Sequence, residues 1–455
     1  MMEPDELAHR LDLRLGALWR TRVRVSGLRR LTGGASKQTW QFEARLRDAE
    51  PVRLVLRRDP GGHLRPEDMA LEAAALRAAA AAGVPVPRLV DHSVDSRVLG
   101  APYVLTVHVD GESIPRRLLR DHRYAAARSS LSAQLGRVLA RLHRIPLAHV
   151  PGLPATDPLD WLTARYDETG QLLPTLELAL RWLREHRPPP SGDAVVHGDF
   201  RNGNLIVGAD GLRAVVDWEL VHRGDPLEDL GWLCVKAWRF GSGLAVGGFG
   251  SREELFAGYA EIAGEAPDRE AVHWWEVYGT ARWAVLCLVQ AQRHLSGQTR
   301  SVELAAVGRR VCEQEHDLLL ALGIPRAEPE PARPEEADAR LDLHGSPTAG
   351  DLLAAVAEFL RDEVEPGTGE ALGFHARVAA GVLAVVEREL RLGAAQERRH
   401  LARLAALGVA STAEFAIALR SGCLDVADPV VLAAVRADVT DRLAVANPGY
   451  VDHPG

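Results

Sequence analysis

Lysine is almost missing from this 455-residue chain: Lys37 and Lys236 are the only two, and arginine carries nearly all the other basic charge. Alanine is correspondingly abundant, so the skew reads as a bias of the whole composition. An arginine where lysine is usual is therefore not by itself a functional sign. Cysteine is scarce too. Cys234, Cys287, Cys312 and Cys423 lie far apart, with no CxxC pair and no histidine at metal spacing. That excludes a zinc ribbon and a disulfide framework, and fits small apolar side chains in a reducing cytosol. No run of 18 apolar residues exists, which excludes a hydrophobic membrane-spanning helix. The opening segment, MMEPDELAHRLDLRLGALWR, is acidic and then amphipathic, and lacks the basic-then-apolar order of a signal peptide. The expectation is a cytoplasmic protein. The net charge of -8 argues against a dedicated nucleic-acid binder, where a basic stripe would be expected.

What remains is ordinary globular material, 47% hydrophobic and 25% charged, too long for one compact core. Residues 23 to 57 read as short β-rich runs separated by Gly, Asp and Pro, the pattern of a small antiparallel sheet. An alanine-rich helix follows and stops at Gly83. From about residue 125 the periodicity is helical. It is interrupted by a short apolar strand at 194 to 196 and by a hairpin signal at Asp210-Gly211. Residues 326 to 346, rich in Pro, Glu and Ala, read as an exposed linker. Helical patterns resume after it. The expected division is 1–107 (sheet-bearing lobe), 108–325 (helical lobe), 326–344 (linker) and 345–455 (a separate all-helical domain).

The chemistry concentrates in His197-Gly198-Asp199-Phe200-Arg201-Asn202-Gly203-Asn204 and the following Val215-Val216-Asp217-Trp218-Glu219. Phosphoryl transfer needs a carboxylate beside the acceptor hydroxyl, oxygen ligands for Mg²⁺ on a second fixed element, and a clamp on the donor phosphates. An Asp and an Asn five residues apart on one loop, with another Asp after the next hairpin, is the kinase arrangement. Asp199, Asn204 and Asp217 have that spacing. Each could also be a turn residue, but loop, hairpin and second Asp occur together and in the expected context.

HGDxxxxN followed by VVDWE resembles the aminoglycoside phosphotransferase and choline kinase superfamily, over roughly residues 20 to 322. The resemblance implies an α+β, protein-kinase-like two-lobed fold, with a small antiparallel N-lobe and a mostly helical C-lobe, and ATP or GTP with Mg²⁺ as cofactors. It implies that Asp199 orients or deprotonates the acceptor hydroxyl, that Asn204 and Asp217 hold Mg²⁺, and that His197 supports the loop. Within Thr32-Gly33-Gly34-Ala35-Ser36, Gly33, Gly34 and Ser36 would approach the nucleotide phosphates through their backbone, although the segment is not GxGxxG and reads equally well as a hairpin turn. Arg57 stands where the family usually has a phosphate-clamping Lys, with Glu72 on the next helix as its ion-pair partner; plain surface charges are the alternative. Lys37 reads as a surface residue that could assist at the phosphates. Tyr103 to Gly111 resembles the interlobe connector.

Asp225-Pro226-Leu227-Glu228-Asp229 reads as a helix start, Asp225 capping, Glu228 completing a capping box and Asp229 bracing the catalytic loop. That helix begins about eight residues after Asp217. No room is left for the activation segment of a protein kinase, so a small-molecule acceptor is expected. Trp274, Trp275, Tyr278, Arg282 and Trp283 crowd one helix and read as a packing stripe. Whole-chain likeness narrows the branch: LVLRRDPGG, EVYGTARWAVLCLVQAQRHLSG and the terminal VANPGY resemble kinase domains found with acyl-CoA dehydrogenases. The acceptor this implies is a hydroxyacyl-CoA, phosphorylated on its hydroxyl before the oxygen is eliminated. An acyl-CoA dehydrogenase pathway partner and a homodimer are further implications, and the tail resembles a small uncharacterised helical domain. Two other readings stay open: an aminoglycoside- or choline-like kinase with a cationic acceptor and an acidic acceptor pocket, and a non-catalytic nucleotide-binding module. No nucleic-acid or membrane partner is expected.

Overall fold

The computed structural model describes residues 2–31, 37–46, 50–59, 66–325 and 347–452. Helix α1 (Pro4–Trp19) buries Leu7, Leu11 and Leu15, whose spacing of four puts them on one face. Arg14 on this helix holds Asp91 through two bonds of 2.7 and 2.9 Å. The Tyr103 hydroxyl donates to the same carboxylate, so α1 is fastened to the sheet it covers. The sheet-bearing region continues with β1 (Val23–Arg30), β2 (Gln38–Leu46), β3 (Val52–Arg58), α2 (Pro66–Ala81), β4 (Leu89–Ser93), the short turn of helix α3 (Ser96–Leu99) and β5 (Tyr103–Val107). The five strands pair antiparallel in the order β1-β2-β3-β5-β4. Their inner face forms a core with α1, including Phe42, Leu54, Leu56, Tyr103 and Leu105.

Strand alternation decides the fate of two adjacent arginines. Successive side chains on β3 point to opposite faces. Arg58 is buried, bonded to Gln38 and the Leu99 carbonyl, and Arg57 is left on the other face.

Beyond the sheet come α4 (Pro115–Arg120), α5 (Ala125–His143), α6 (Pro158–Glu168) and α7 (Pro174–Glu185). Strands β6 (Ala194–Val196) and β9 (His222–Gly224) pair with each other and bracket the hairpin of β7 (Leu205–Gly208) and β8 (Gly211–Val215). Then follow α8 (Leu227–Cys234), α9 (Arg252–Ala263), α10 (Arg269–Leu295), α11 (Val302–Arg309) and α12 (Val311–Ala321), and in the tail α13 (Ala349–Phe359), the single turn α14 (Glu365–Gly367), α15 (Glu370–Ala406), α16 (Thr412–Ser421) and α17 (Pro429–Ala446). Helices α5 and α9 approach at their backbones. A Cβ on Gly136 would stand 2.1 Å from the Leu255 carbonyl, and one on Gly258 would stand 2.1 Å from that of Ala133, so neither position can carry a side chain without separating the pair.

Packing divides the chain into two compact units. One comprises Met1–Ala155 with Pro189–Trp275, the other Thr156–Pro188 with Glu276–Gly455. This grouping differs from the sequence-based division, because the tail helices do not bury their apolar faces only among themselves. Cys312 and Leu319 of α12 share one core with Leu404, Phe415, Leu419, Val431, Val435 and Leu443. Polar groups follow the same line. Arg442 pairs with Glu315 and Arg420 with Glu177, both carboxylates essentially buried. Tyr450 donates to Asp317 at 2.6 Å and Asn447 to Glu313 at 2.9 Å. Buried carboxylates need such partners. The expected linker lies outside the described residues. Trp274, Trp275 and Tyr278 are buried, in accord with a packing stripe.

Candidate active site

The 197–204 loop is held from behind by α8. Asp229, fully buried, accepts the His197 N–H at 2.8 Å and the Gly198 N–H at 3.0 Å, and sits 3.2 Å from His143 Nε2. Burial opposes its ionisation, but the His143 hydrogen bond and the nearby imidazoles outweigh it and hold its carboxyl below the usual range. The helix begins one residue later than expected, at Leu227 with Pro226 before it, and the expected capping box does not form, although Asp225 still accepts the Leu227 N–H. The Glu228 carboxylate turns to His222, 3.0 Å away. Gly198 is in the left-handed region at φ 77, and a Cβ there would stand 2.5 Å from the Leu220 carbonyl. Only glycine fits between the histidine and the aspartate.

His197 is entirely buried, packed against Trp218 and Phe200. Its Nε2 lies 3.2 Å from the Val216 carbonyl, and its Nδ1 receives the Asp199 N–H at 3.2 Å. Nε2 therefore carries the proton and Nδ1 is the acceptor, the neutral ring. Burial pushes its pKa down. The imidazole joins the loop to the segment after β8.

Asp199 is presented by this frame. Its Oδ1 accepts from Arg201 Nε and Trp232 Nε1, both at 2.9 Å, and its Oδ2 from Asn204 Nδ2 at 2.6 Å. A carboxylate has about four acceptor positions, so one on Oδ2 stays open. Asn204 Nδ2 also bonds the Asp199 carbonyl at 3.0 Å. With the amide nitrogen used twice, Oδ1 is the face of Asn204 available to a cation.

Asp217 follows β8 with φ 69 and ψ 61, a left-handed conformation unusual for a residue with a side chain and frequent at functional sites. It aims the carboxylate at Arg57. Arg57 Nη1 lies 2.5 Å from Glu72 Oε1, and Nη2 lies 2.5 Å from Asp217 Oδ1 and 3.7 Å from Glu219 Oε2. Lys37, expected at the surface, is instead buried. Its ammonium stands 2.7 Å from Glu72 and 3.2 Å from Glu219. Two cations and three carboxylates thus form one cluster. Burial disfavours charge on Asp217, but Arg57 and Lys37 outweigh it and hold its carboxyl low. Glu219 is pushed up, first by burial and then by the charge of Asp217.

The structure therefore brings Asp199, His197, Asn204, Asp217, Arg57 and Glu72 into one compact unit. Gly33, Gly34 and Ser36 lie outside the described residues. Lys37, Glu219, Arg201 and Trp232 are the participants whose roles the sequence reading left out or undervalued. Glu219 sits inside the VVDWE motif and was legible as one more acid. Trp232, a lone indole 33 residues from Asp199, carried no signal. Asn204 Oδ1 and the Asp217 carboxylate are hard oxygen donors of the kind Mg²⁺ selects, a cation that also keeps several waters and substrate phosphates, so the donor set fits Mg²⁺. Among the described residues, no cluster of three His, Cys, Asp or Glu forms an all-protein metal cage.

Residues 27–275 match the family model described as the phosphotransferase enzyme family. The chain belongs to that family. Residues 366–450 match a second model, a domain of unknown function (DUF6285). The phosphotransferase chain is 29% identical over 307 residues to acyl-CoA dehydrogenase family member 10 of Mus musculus, covering 61% of this chain and 27% of that protein. It is 32% identical over 196 residues to acyl-CoA dehydrogenase family member 11 of Gallus gallus, covering 39% of this chain and 24% of that protein. It thus spans about a quarter of the length of these two relatives. Among solved structures, a candidate aminoglycoside phosphotransferase from Ralstonia eutropha superposes with a TM-score of 0.54 at 20% identity, covering 69% of this chain and 98% of that one. At that identity the likeness establishes the fold, which is the expected kinase-like one of antiparallel sheet followed by helices, with further helices at the C-terminus. No helix among the described residues is long and apolar enough to cross a membrane.

Proposed function

We propose that the chain transfers the γ-phosphoryl group of ATP to a hydroxyl of a small molecule, and that a hydroxyacyl-CoA is its acceptor. The observation that carries the transfer is the joining of two groups, the Asp199–Asn204 pair and Arg57 with Glu72 and Asp217, where the Val216 N–H, next to Asp217, donates to the Asn204 carbonyl at 2.9 Å. In this reading Asp199 takes the acceptor's proton through its open Oδ2 position while the new O–P bond forms and the nucleoside diphosphate leaves. Asn204 Oδ1 and Asp217 hold Mg²⁺, which when bound supplies neutralisation of phosphate charge. Arg57 clamps the donor phosphates, giving up part of its contact with Asp217 as they arrive. The Tyr103–Gly111 segment binds the base through its backbone. It is anchored at its far end, where Glu112 and Val207 exchange backbone hydrogen bonds of 2.9 Å.

The acceptor class is supported by the relatives, both acyl-CoA dehydrogenase family members by name, and by the lining of a cavity of about 430 Å³ between α4 and the 240–249 segment. Leu119, Arg120, Arg128, Phe240, Leu244 and Phe249 contribute, and no acidic residue does. Asn202 of the 197–204 loop bonds the neighbouring Gly247 carbonyl, and in this proposal the acceptor occupies the cavity, whose lining does not suit an aminoglycoside or choline-like cation. A cytosolic setting agrees with the four unpaired cysteines. The test is nucleotide consumption by the purified chain with Mg²⁺ against a panel of hydroxyacyl-CoA thioesters, aminoglycosides and choline. Product phosphorylation confined to a thioester is expected. Turnover of the cations alone would replace the acceptor assignment, and no turnover with any acceptor despite tight Mg-nucleotide binding would favour a non-catalytic nucleotide module.

A further inference from the structure

Arg201 lies inside the catalytic loop, and the phosphoryl-transfer reading gives it no task. Its guanidinium is fixed on three sides. Nε donates to Asp199 Oδ1 at 2.9 Å, Nη1 reaches the Asn202 carbonyl at 3.4 Å, and the plane stacks 4.5 Å from the ring centroid of Trp238. Nη2 has no hydrogen-bond partner among the described residues. The side chain is about a quarter exposed. A donor that is always charged is thus held on Oδ1 of the same carboxylate whose Oδ2 keeps the open acceptor position.

We infer that Arg201 reads the acceptor, selecting molecules that carry a carbonyl or anionic oxygen near the hydroxyl presented to Asp199 and rejecting those that carry an ammonium group there. This rests on the proposed transfer chemistry and specifies which acceptors it uses. The energetics favour oxygen. A guanidinium held by an aromatic face has already lost much of its side-chain freedom, so an incoming oxygen gains a charge-assisted bond at low ordering cost. An ammonium group at the same place offers no acceptor to Nη2 and gains no such bond. The surroundings agree. Asn202, fully buried, ties the catalytic loop to the Gly247 carbonyl at 2.8 Å. The 240–249 segment beyond it lines the acid-free cavity, where Arg120 is exposed and pairs with no described carboxylate.

The experiment is calorimetric titration of the full chain, with a non-hydrolysable Mg-nucleotide bound, using 3-hydroxybutyryl-CoA and choline as probes. Wild-type protein is expected to bind the thioester and not choline. Arg201→Gln should weaken thioester binding about 10–100-fold, the worth of one charge-assisted hydrogen bond, and Arg201→Lys should regain part of that. In steady state the loss should fall on the acceptor KM more than on kcat. Mg-nucleotide affinity of each variant serves as the folding control. If Arg201→Gln does not pass it, Trp238→Phe, which keeps an aromatic face but a weaker one, should show a smaller loss of the same kind. Equal thioester affinity in wild type and the folded variants overturns the inference. So does a wild-type chain that binds Mg-nucleotide but not the thioester, while leaving the transfer reading intact. A chain that does not bind Mg-nucleotide overturns the transfer reading itself.

Discussion

Arg57 donates from Nη2 to Asp217 across 160 residues of chain, while its Nη1 holds Glu72. One guanidinium thereby connects the sheet, helix α2 and the segment that ends the β7–β8 hairpin. Burial opposes its charge, but Glu72, Asp217 and Glu219 keep it firmly protonated. Arg57→Ala should raise the nucleotide KM and lower kcat, for a total loss of about 10–100-fold in kcat/KM if one charge-assisted contact is removed. Arg57→Lys should recover part of it. Lys37 remains in the cluster, so wild-type kinetics in Arg57→Ala would transfer the clamp to Lys37.

Asp199→Asn should reduce phosphoryl transfer by about 10²–10⁴-fold, the usual contribution of a positioned base. Mg-nucleotide affinity should change little, because the role proposed for Asp199 is at the acceptor and not at the donor. Single-turnover kinetics alongside nucleotide titration would separate the two. A variant with more than a tenth of normal turnover would remove Asp199 from the base role.

Asp217→Ala should disturb the Mg²⁺ dependence of nucleotide binding more than Asn204→Ala does, since a full negative charge is lost next to a hard cation. Titrating Mg²⁺ at fixed nucleotide checks this. An unchanged Mg²⁺ midpoint in Asp217→Ala would contradict the ligand assignment.

The buried imidazole of His197 makes stability depend on pH. Its folded pKa lies below the unfolded value of about 6.5. Its contribution is therefore complete above that pH and declines as pH falls towards the folded pKa, where the unfolded chain binds a proton the native ring refuses. The melting temperature should fall between about pH 7 and pH 5.5, and His197→Gln should flatten part of that slope. His92 and His108, also depressed by burial, act in the same direction, and the raised carboxyls of Glu219 and Asp225 act against it. Identical slopes in wild type and variant would show that His197 is not the group responsible.

Arg442→Ala should destabilise the second unit by about 1–3 kcal/mol, the cost of leaving a buried charged acceptor without its partner, and less than for a fully buried pair, because Glu315 is fully buried and accepts from Arg442 Nη2 at 2.8 Å while the Arg442 side chain is itself 40% exposed. Urea unfolding of the full chain measures it. A change under about 1 kcal/mol would be that of an exposed pair, and would mean that water reaches Glu315.

The catalytic loop, the hairpin and the helix behind them could be read from the sequence because short-range rules govern them. The loop spacing, the Asp-Gly turn and the Asp-Pro helix start each act within a few residues. The same holds for the Arg57–Glu72 pairing, since a strand and the next helix are neighbours in most folds. Lys37 was misplaced for a physical reason. Its burial depends on two carboxylates, 35 and 182 positions away, and nothing local tells a lysine that carboxylates await it. Trp232 on Asp199 and Trp238 under Arg201 are likewise long-range meetings. The tail makes the same point at larger scale. Its helices and the low-apolar segment before it were legible, and they suggested an independent domain. Where an amphipathic helix buries its face, however, is settled by whichever complementary surface is available, and here α12 supplies part of it, with Arg442 against Glu315 and Tyr450 against Asp317. Periodicity along a chain fixes which side of a helix is apolar; only the folded packing chooses its partner.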